Sequence, residues 1–352
     1  MGEPECNRRA RGGDAESTKA PAIGGESSLT RAPRSFLYPI TVNYSKNKVV
    51  CLWENGMDRL LISVVIPVFN AEKYLRQAIC SALEQTLPPH EIIVVNDGST
   101  DSSPMIASSF GSAVIYLSQQ NHGLSATRNL AIARSTGDWI AFLDADDYWL
   151  PDKLARQGAM IQADPTIGLI YTGKTDLSLD GTTRDVAARP PQWVTNILPV
   201  QNYIFPTTVL AKRSLLLEHP FDASLKSSEE WWLFYSLSRI TKFAAIAEPT
   251  AVYRVYPESL SNRNWKAVLD YANIVAGRIQ NDFTGFRKFL LHRKTDSRLF
   301  ASASLSQREQ GSPEFLHYIV KSLISWPFPD FWPARYKIFL KMLLQKMKAW
   351  RG

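Results

Sequence analysis

The chain has 352 residues, of which 45% are hydrophobic and 11% aromatic, and this is enough apolar surface for a sizeable core. It contains no run of roughly 18 uncharged apolar residues, which excludes a membrane-spanning helix from the prediction. The three cysteines are odd in number and lack metal-ligand spacing. They therefore predict neither a disulfide framework nor a zinc site, and they fit a reducing cytoplasm.

Composition divides the chain into three predicted regions. Residues 1–60 are rich in Gly, Ser, Pro and mixed charge without a helical or strand period, which predicts a poorly ordered leader lacking the apolar core of a secretory signal. Residues 61–264 alternate between apolar runs and helical patterns. Residues 265–352 carry 15 Lys and Arg against 6 Asp and Glu, so the net charge of +7 comes from this basic, mostly helical extension.

Four short apolar runs in the middle region predict strands, and they are Ile62–Val68, Glu91–Val95, Ala113–Leu117 and Trp139–Leu143. Helical spacing follows the first run, with Asn70 as the expected N-cap. A second helix is expected to end near Arg134. Because buried strands alternate with helices, the sequence predicts an α/β fold with a mainly parallel central sheet.

Polar clusters follow three of these strands. Asp97 follows the second strand, residues 121–129 follow the third, and Asp144, Asp146 and Asp147 follow the fourth. A single such cluster is more often an ordinary turn. Because parallel strands end at one edge of the sheet, where ligands bind in such folds, the three clusters together indicate a binding site.

The aspartates after the fourth strand suit a hard divalent cation, Mg²⁺ or Mn²⁺, bound through oxygen. Magnesium usually completes its shell with water and substrate phosphates, so a diphosphate ligand is expected. The sequence contains neither GxxxxGK[ST] nor GxGxxG after a strand, which disfavours kinase-like hydrolysis and dinucleotide redox chemistry. Arg128 could face a nucleotide or be an ordinary helix-surface arginine, and the sequence leaves both open.

A base for group transfer could come from Glu229 or Glu230, at the start of a predicted helix whose dipole favours an ionised carboxylate. Ser227 and Glu230 also have the S-x-x-E spacing of a capping box, which requires no catalysis. The spacing by itself favours the cap.

Six segments in fixed order resemble glycosyltransferase family 2, and they are SVVIPVFNAEKYL, IIVVNDGSTDSS, NHGLSATRN, IAFLDADDYWLPDKL, FDASLKSSEEWWLF and YRVYPESLS. The resemblance covers about Ile62 to Ser261. It implies an A-type glycosyltransferase fold, with a Rossmann-like sheet flanked by helices. It also implies an inverting, metal-dependent transferase that moves a sugar from a nucleotide diphosphate sugar, with UDP expected, to an acceptor hydroxyl.

The resemblance assigns roles to individual residues. The nucleotide pocket would be lined by Pro67, Phe69, Asn70, Asp97, Arg128 and Asp144, with Asp97 accepting a hydrogen bond from the uracil imide. Asp146 would hold Mn²⁺ or Mg²⁺, Asp147 would support the loop, and Glu230 would be the catalytic base, which reverses the preference for a cap. Residues near Pro206, Thr207 and Thr208 are expected to approach the sugar.

Two departures from the family pattern keep other functions open. Glu230 stands where the family more often has Asp, and Tyr256 stands where it often has His. The chain could therefore be a noncatalytic nucleotide-sugar binder. A nucleotidyltransferase is disfavoured, because no basic cluster suited to a triphosphate accompanies the aspartates. The family's acceptors include glycans, lipid-linked glycans and proteins, and the expected role is cell-surface polysaccharide synthesis.

The extension ends in a basic amphipathic pattern. From Pro333 onward, one helical stripe carries Tyr336, Leu340, Leu343, Met347 and Trp350. This pattern predicts peripheral contact with an anionic membrane surface, on the inner face of the cell membrane, although the same stripe could pack on the catalytic domain. No nucleic-acid motif is present, so no nucleic-acid partner is expected.

Overall fold

The computed structural model describes residues 41–45, 48–52, 60–256, 265–309, 314–328, 336–337 and 339–340. The chain forms two compact units, Met1–Arg59 and Leu60–Gly352. In the first unit, β1 (Thr41–Ser45) pairs antiparallel with β2 (Lys48–Leu52). This hairpin corrects the prediction of an irregular leader for these residues, where Val and Tyr favour strand structure. The remainder of that predicted leader up to residue 40 lies outside the described residues.

The second unit begins with the parallel half of a large sheet. Its strands are β3 (Ile62–Val68), β4 (Glu91–Asp97), β5 (Ile115–Gln119) and β6 (Trp139–Phe142), in the spatial order β5-β4-β3-β6. The helices between them are α1 (Leu75–Leu83), α2 (Ser103–Ser108) and α3 (Leu124–Arg134). All neighbouring pairs in this half are parallel, which confirms the predicted α/β arrangement.

The second half of the sheet is mixed. Its strands are β7 (Tyr148–Trp149), β8 (Ile167–Ser178), β9 (Thr183–Val186), β10 (Leu210–Lys212) and β11 (Lys242–Val255). β10 lies antiparallel between β6 and β8, β11 lies parallel to β8, and β7 and β9 are antiparallel additions. The prediction of a mainly parallel sheet therefore holds for the first half. β7 pairs with β11, and this pairing fixes the far end of the loop that follows β6 and carries Asp144, Asp146 and Asp147.

The remaining helices are α4 (Lys153–Ala163), α5 (Val194–Ile197), α6 (Arg213–Glu218), α7 (Glu229–Leu237), α8 (Trp265–Gln280), α9 (Gly285–Glu309) and α10 (Phe315–Ser325). Successive strand residues point to opposite faces, so Val65 and Val64 enter different core clusters. Val275 and Ile279 of α8 are buried in the same cluster as Phe234 of α7. The start of the helical extension is thus part of the main core.

Two local expectations are wrong. α1 begins at Leu75, and Asn70 does not cap it, because Asn70 has a left-handed backbone (φ 50°) and its Oδ1 accepts from the Thr100 backbone N at 2.8 Å. Cys80 takes part in a disulfide, against the expectation from the odd cysteine count. Across the described ranges, no helix combines the length and apolar character needed to span a bilayer.

Candidate active site

The acidic loop, defined as Asp144 to Asp147, forms a tight turn directly after β6. Its backbone is closed by a hydrogen bond from the Asp147 N to the Asp144 carbonyl at 3.0 Å. Burial, and then the charge of Asp144, raise the pKa of Asp146. The pKa of the fully buried Asp147 is raised well above its usual value, first by burial and then by the charge of Asp146. These carboxylates crowd one another, and a cation would relieve their repulsion.

The end of β11 anchors this loop. Tyr256 Oη donates to Asp146 Oδ2 at 2.6 Å, and the Arg254 backbone N donates to Asp147 Oδ1 at 3.0 Å. The Arg254 guanidinium also donates to the Asp146 carbonyl and lies 4.3 Å from the ring centre of Tyr74. The sequence segment YRVYPES therefore supplies contacts to the acidic loop. Arg254 was not among the predicted site residues.

Arg128 of α3 joins the acidic loop to the start of α7. Only 2% of its side chain is exposed, which excludes the alternative of a surface arginine. Its Nη2 donates to Asp144 Oδ1 at 2.8 Å, and its Nη1 donates to Glu229 Oε1 at 2.7 Å. Burial opposes its charge, but the charges of Asp144 and Glu229 dominate, and the pKa of Arg128 is raised. One cation thus holds two carboxylates from distant parts of the chain.

Glu230 lies next to this ion-pair network, in the first turn of α7. Ser228 occupies the N-cap position with a left-handed backbone (φ 60°), and the Ser228 side chain makes no capping hydrogen bond. The capping-box interpretation, which required Ser227 at the N-cap, is therefore wrong. Glu230 is half-buried and its Oε1 accepts from Asn202 Nδ2 at 3.2 Å. Burial and then the charge of Glu229 raise the pKa of Glu230 to about 8, a value suited to proton transfer near neutral pH.

Asp97, at the end of β4, is engaged with the loop that precedes α3. Its Oδ1 accepts from Gln119 Nε2 at 2.7 Å and from the His122 N at 2.9 Å, and its Oδ2 accepts from the Gly123 N at 2.9 Å. Gly123 has φ 87°, a conformation that favours glycine. A carboxylate has about four acceptor positions, so the bond to a uracil imide stays a prediction for the remaining one.

The other predicted nucleotide-pocket residues lie after β3, beside the loop that follows β4. Pro67 is buried within β3, whereas 46% of the Phe69 side chain is exposed. The Asn70 N donates to Ser99 Oγ at 3.0 Å, which joins the two loops. Phe69 thus presents exposed aromatic surface that a ligand could contact.

The turn expected to approach the sugar is a 3-10 helix, Pro206–Thr208. Thr207 and Thr208 are buried, and the Thr207 carbonyl accepts from Trp149 Nε1 at 2.8 Å. Their side chains are therefore in the interior, and the expected approach of these threonines to a sugar stays a prediction. Asn202, just before this turn, contacts Glu230 instead, and no motif in the sequence pointed to it.

Comparison with known proteins gives concordant matches. A family model described as "Glycosyl transferase family 2" matches residues 63–209. The putative teichuronic acid biosynthesis glycosyltransferase TuaG of Bacillus subtilis (strain 168) is 31% identical over 215 residues, which span 59% of this chain and 84% of TuaG. The Escherichia coli UDP-Glc:alpha-D-GlcNAc-diphosphoundecaprenol beta-1,3-glucosyltransferase WfgD is 28% identical over 229 residues, which span 64% of this chain and 89% of WfgD.

Solved structures share the fold. Residues 1–349 of S. aureus TarS, in complex with UDP, align with a TM-score of 0.55 at 20% identity, over 76% of this chain and 81% of that one. The mannosyltransferase PcManGT from Pyrobaculum calidifontis, in complex with GDP-Man and Mn²⁺, aligns with a TM-score of 0.51 at 18% identity, over 82% and 81% of the two chains. This agreement of sequence and fold identifies the chain as a glycosyltransferase that belongs to glycosyl transferase family 2.

Proposed function

We propose that this protein is an inverting glycosyltransferase that moves a sugar from a UDP-sugar to an acceptor hydroxyl during synthesis of a bacterial cell-surface glycan. The observation that carries the proposal is the bridge of Arg128 between Asp144 and Glu229. It places the acidic loop and the first turn of α7, which carries Glu230, in one continuous network. The names of TuaG and WfgD support a surface glycan and, for WfgD, a UDP-linked donor.

The nucleotide is proposed to lie against the loops after β3 and β4. Phe69 supplies exposed aromatic surface for the base, and Asn70 and Asp97 shape the loops on either side. Asp144 then lies toward the ribose and Asp146 toward the diphosphate. Since Arg128 is paired with Asp144, the acidic loop is less repulsive to phosphate oxygens than three free carboxylates would be.

The donor set fits a Mn²⁺ or Mg²⁺ ion held by Asp146. The pKa of Asp146 is raised by burial and then by the charge of Asp144. Asp144 and Asp146 both offer the hard oxygen ligands that these ions prefer. Within the described part of the chain, no three Asp, Glu, His or Cys side chains form a group that could hold a metal. Water and the donor diphosphate would therefore complete the shell. The ion would neutralise charge that develops on the leaving diphosphate.

Glu230 is proposed as the general base. Its carboxylate accepts the proton of the acceptor hydroxyl while the hydroxyl oxygen forms a bond to the anomeric carbon of the donor sugar. The bond from that carbon to the diphosphate oxygen breaks on the opposite face, and UDP leaves with its electron pair. The configuration at the anomeric carbon inverts because attack and departure occur on opposite faces.

The test is a transfer assay with purified protein, Mn²⁺ and a panel of UDP-sugars. General-base catalysis contributes about 10²–10⁴-fold, so Glu230→Gln is expected to lower the turnover by that factor while UDP binding is retained. Asp146→Ala is expected to weaken donor binding and to reduce the response to Mn²⁺. Glu248→Gln is the control, because Glu248 is an exposed glutamate on β11. Wild-type transfer by Glu230→Gln would refute its role.

A noncatalytic nucleotide-sugar binder is the second candidate. The hydrogen bond from Tyr256 to Asp146 favours it, because one oxygen needed by a cation is already engaged. UDP binding without sugar transfer or donor hydrolysis would support this function, and pyrophosphate release would instead indicate nucleotidyl transfer.

Two predictions about partners extend the proposal. We expect the acceptor to be a glycan, a lipid-linked molecule or a protein, in the cytoplasm or at the inner face of the membrane. We expect no nucleic-acid partner. The amphipathic stripe from Pro333 onward lies largely outside the described residues, so its membrane contact stays a prediction.

A further inference from the structure

The side chain of Asn202 is held rigidly by the backbone two residues further along the chain. Its Oδ1 accepts from the Ile204 N at 3.1 Å, and its Nδ2 donates to the Ile204 carbonyl at 3.0 Å. These two bonds determine which end of the amide carries oxygen and which carries nitrogen. The second N–H of Nδ2 is then free to donate to Glu230 Oε1, at 3.2 Å. The donor is therefore oriented before any ligand binds.

The other charged groups around Glu230 do not replace this contact. On its own helix, Glu229 is a like charge that raises the pKa of Glu230. From α3, the guanidinium of Arg128 lowers that pKa, but its hydrogen bonds go to Glu229 and Asp144. From β11, Tyr253 has a raised pKa, chiefly through burial and with a contribution from Glu230. The Glu230 backbone N–H also lowers the pKa of the Glu230 carboxyl, and among the described side chains Asn202 donates a hydrogen bond to that carboxylate.

We propose that Asn202 is a positioning residue that fixes the Glu230 carboxylate and stabilises its ionised form for proton abstraction. The inference rests on the proposed role of Glu230 as the base. A glutamate has one more rotatable bond than an aspartate, so its carboxylate needs an additional restraint to keep one position. Asn202 supplies that restraint. The restraint matters because a misplacement of about 1 Å can cost on the order of a hundredfold in rate.

The contact also affects titration. A hydrogen bond donated to a carboxylate favours its charged form, so its removal raises the pKa further above the value of about 8. The base acts only when it is ionised. Each additional pKa unit therefore lowers the ionised fraction at pH 7 about tenfold, and the loss disappears above the new pKa.

The experiment measures the turnover and the donor KM of wild type, Asn202→Ala and Asn202→Asp from pH 6 to pH 10. The acidic limb of the turnover profile is expected to move up by about one pH unit, which lowers turnover about tenfold at pH 7. Turnover at pH 10, where the base is ionised, is expected to stay below wild type because the carboxylate is no longer held in one position. The donor KM is expected to stay within about twofold. The aspartate variant keeps the acceptor for the Ile204 N, so it serves if the alanine variant folds poorly.

Asn129 offers a matched control. Its Oδ1 accepts from the Phe221 N at 3.0 Å and its Nδ2 donates to the Phe221 carbonyl at 2.8 Å, which is the same kind of backbone contact. Asn129→Ala is expected to lower the melting temperature without moving the acidic limb. An unmoved limb in both Asn202 variants, or an equal shift in Asn129→Ala, would overturn the proposal.

A second readout does not depend on activity. Carbon-13 NMR of labelled glutamate carboxyls, with Glu230→Gln used for assignment, follows the titration of Glu230 directly. We expect a higher midpoint in Asn202→Ala, which removes the donor without adding a charge, than in wild type, and an unchanged midpoint would overturn the proposed contact. A raised midpoint in a protein that transfers no sugar would instead refute the role of Glu230 as a base.

Discussion

The acidic loop and the first turn of α7 hold their carboxylates in opposite ways. In the loop, Asp146 and Asp147 are crowded together and receive donors from Tyr256 and Arg254 at the end of β11. In α7, Glu229 is paired with Arg128, which it shares with Asp144, whereas Glu230 accepts a hydrogen bond from the uncharged Asn202. Crowded carboxylates suit a cation, and a carboxylate with a pKa near neutrality suits proton transfer. The partners thus distinguish residues of similar chemistry.

Loss of the bridge between the two regions should have the largest effect on stability. Arg128→Met leaves Asp144 and Glu229 without their shared cation, and breaking a buried ion pair in this way costs about 3–5 kcal/mol. We expect the free energy of unfolding, measured by urea denaturation, to fall by that amount. Arg156→Met is the control, because its pair with Asp152 is exposed and should contribute at most about 0.5 kcal/mol. Equal losses would show that Arg128 does not hold the two regions together.

Removal of the Tyr256 hydroxyl should sharpen the comparison at the acidic loop. Tyr256→Phe frees Asp146 Oδ2, and a hydrogen bond to a charged group contributes about 1.5–3 kcal/mol. We expect Mn²⁺ to bind about tenfold more tightly in the presence of UDP, as measured by electron paramagnetic resonance. Tyr74→Phe is the matched control, because its ring packs against Tyr256 at 6.1 Å. Weaker Mn²⁺ binding by Tyr256→Phe would mean that the hydroxyl assists the cation.

The smallest effect is expected from the buried end of the loop. Because the pKa of Asp147 is raised on folding, the native state binds more protons than the unfolded state between the two pKa values, and stability falls as pH rises through that interval. Asp147→Asn keeps the acceptor for the Arg254 N and should increase the free energy of unfolding at pH 7, measured by urea denaturation. The gain should vanish below pH 4. A loss of stability at pH 7 would contradict this assignment.

Much of the fold was predictable because it depends on local patterns. The apolar runs of β3, β4 and β6 and the polar residues that follow them, including Asp97 and the acidic loop, are adjacent in sequence. The mixed half of the sheet was not predictable in this way. β10 inserts between β6 and β8 although it follows both in the chain, and such pairing depends on the whole chain path.

The candidate site shows the same division. Motifs identified Arg128, Asp146 and Glu230 as candidates, but they left the surface-arginine and capping-box alternatives open. The burial of Arg128 and the left-handed backbone of Ser228 removed those alternatives. Asn202 carried no sequence signal, because its importance comes from a contact with a residue 28 positions away.

The sequence by itself determined the alternation of strands and helices and the placement of polar residues at the strand ends, since both follow from local hydrophobic periodicity. The tertiary structure decided which charges are paired. Arg128 and Glu229 are 101 residues apart, and Tyr256 and Asp146 are 110 apart, so no local pattern encodes either contact. Burial then sets the strength of these contacts and the pKa values, because a charge removed from water depends on its few neighbours.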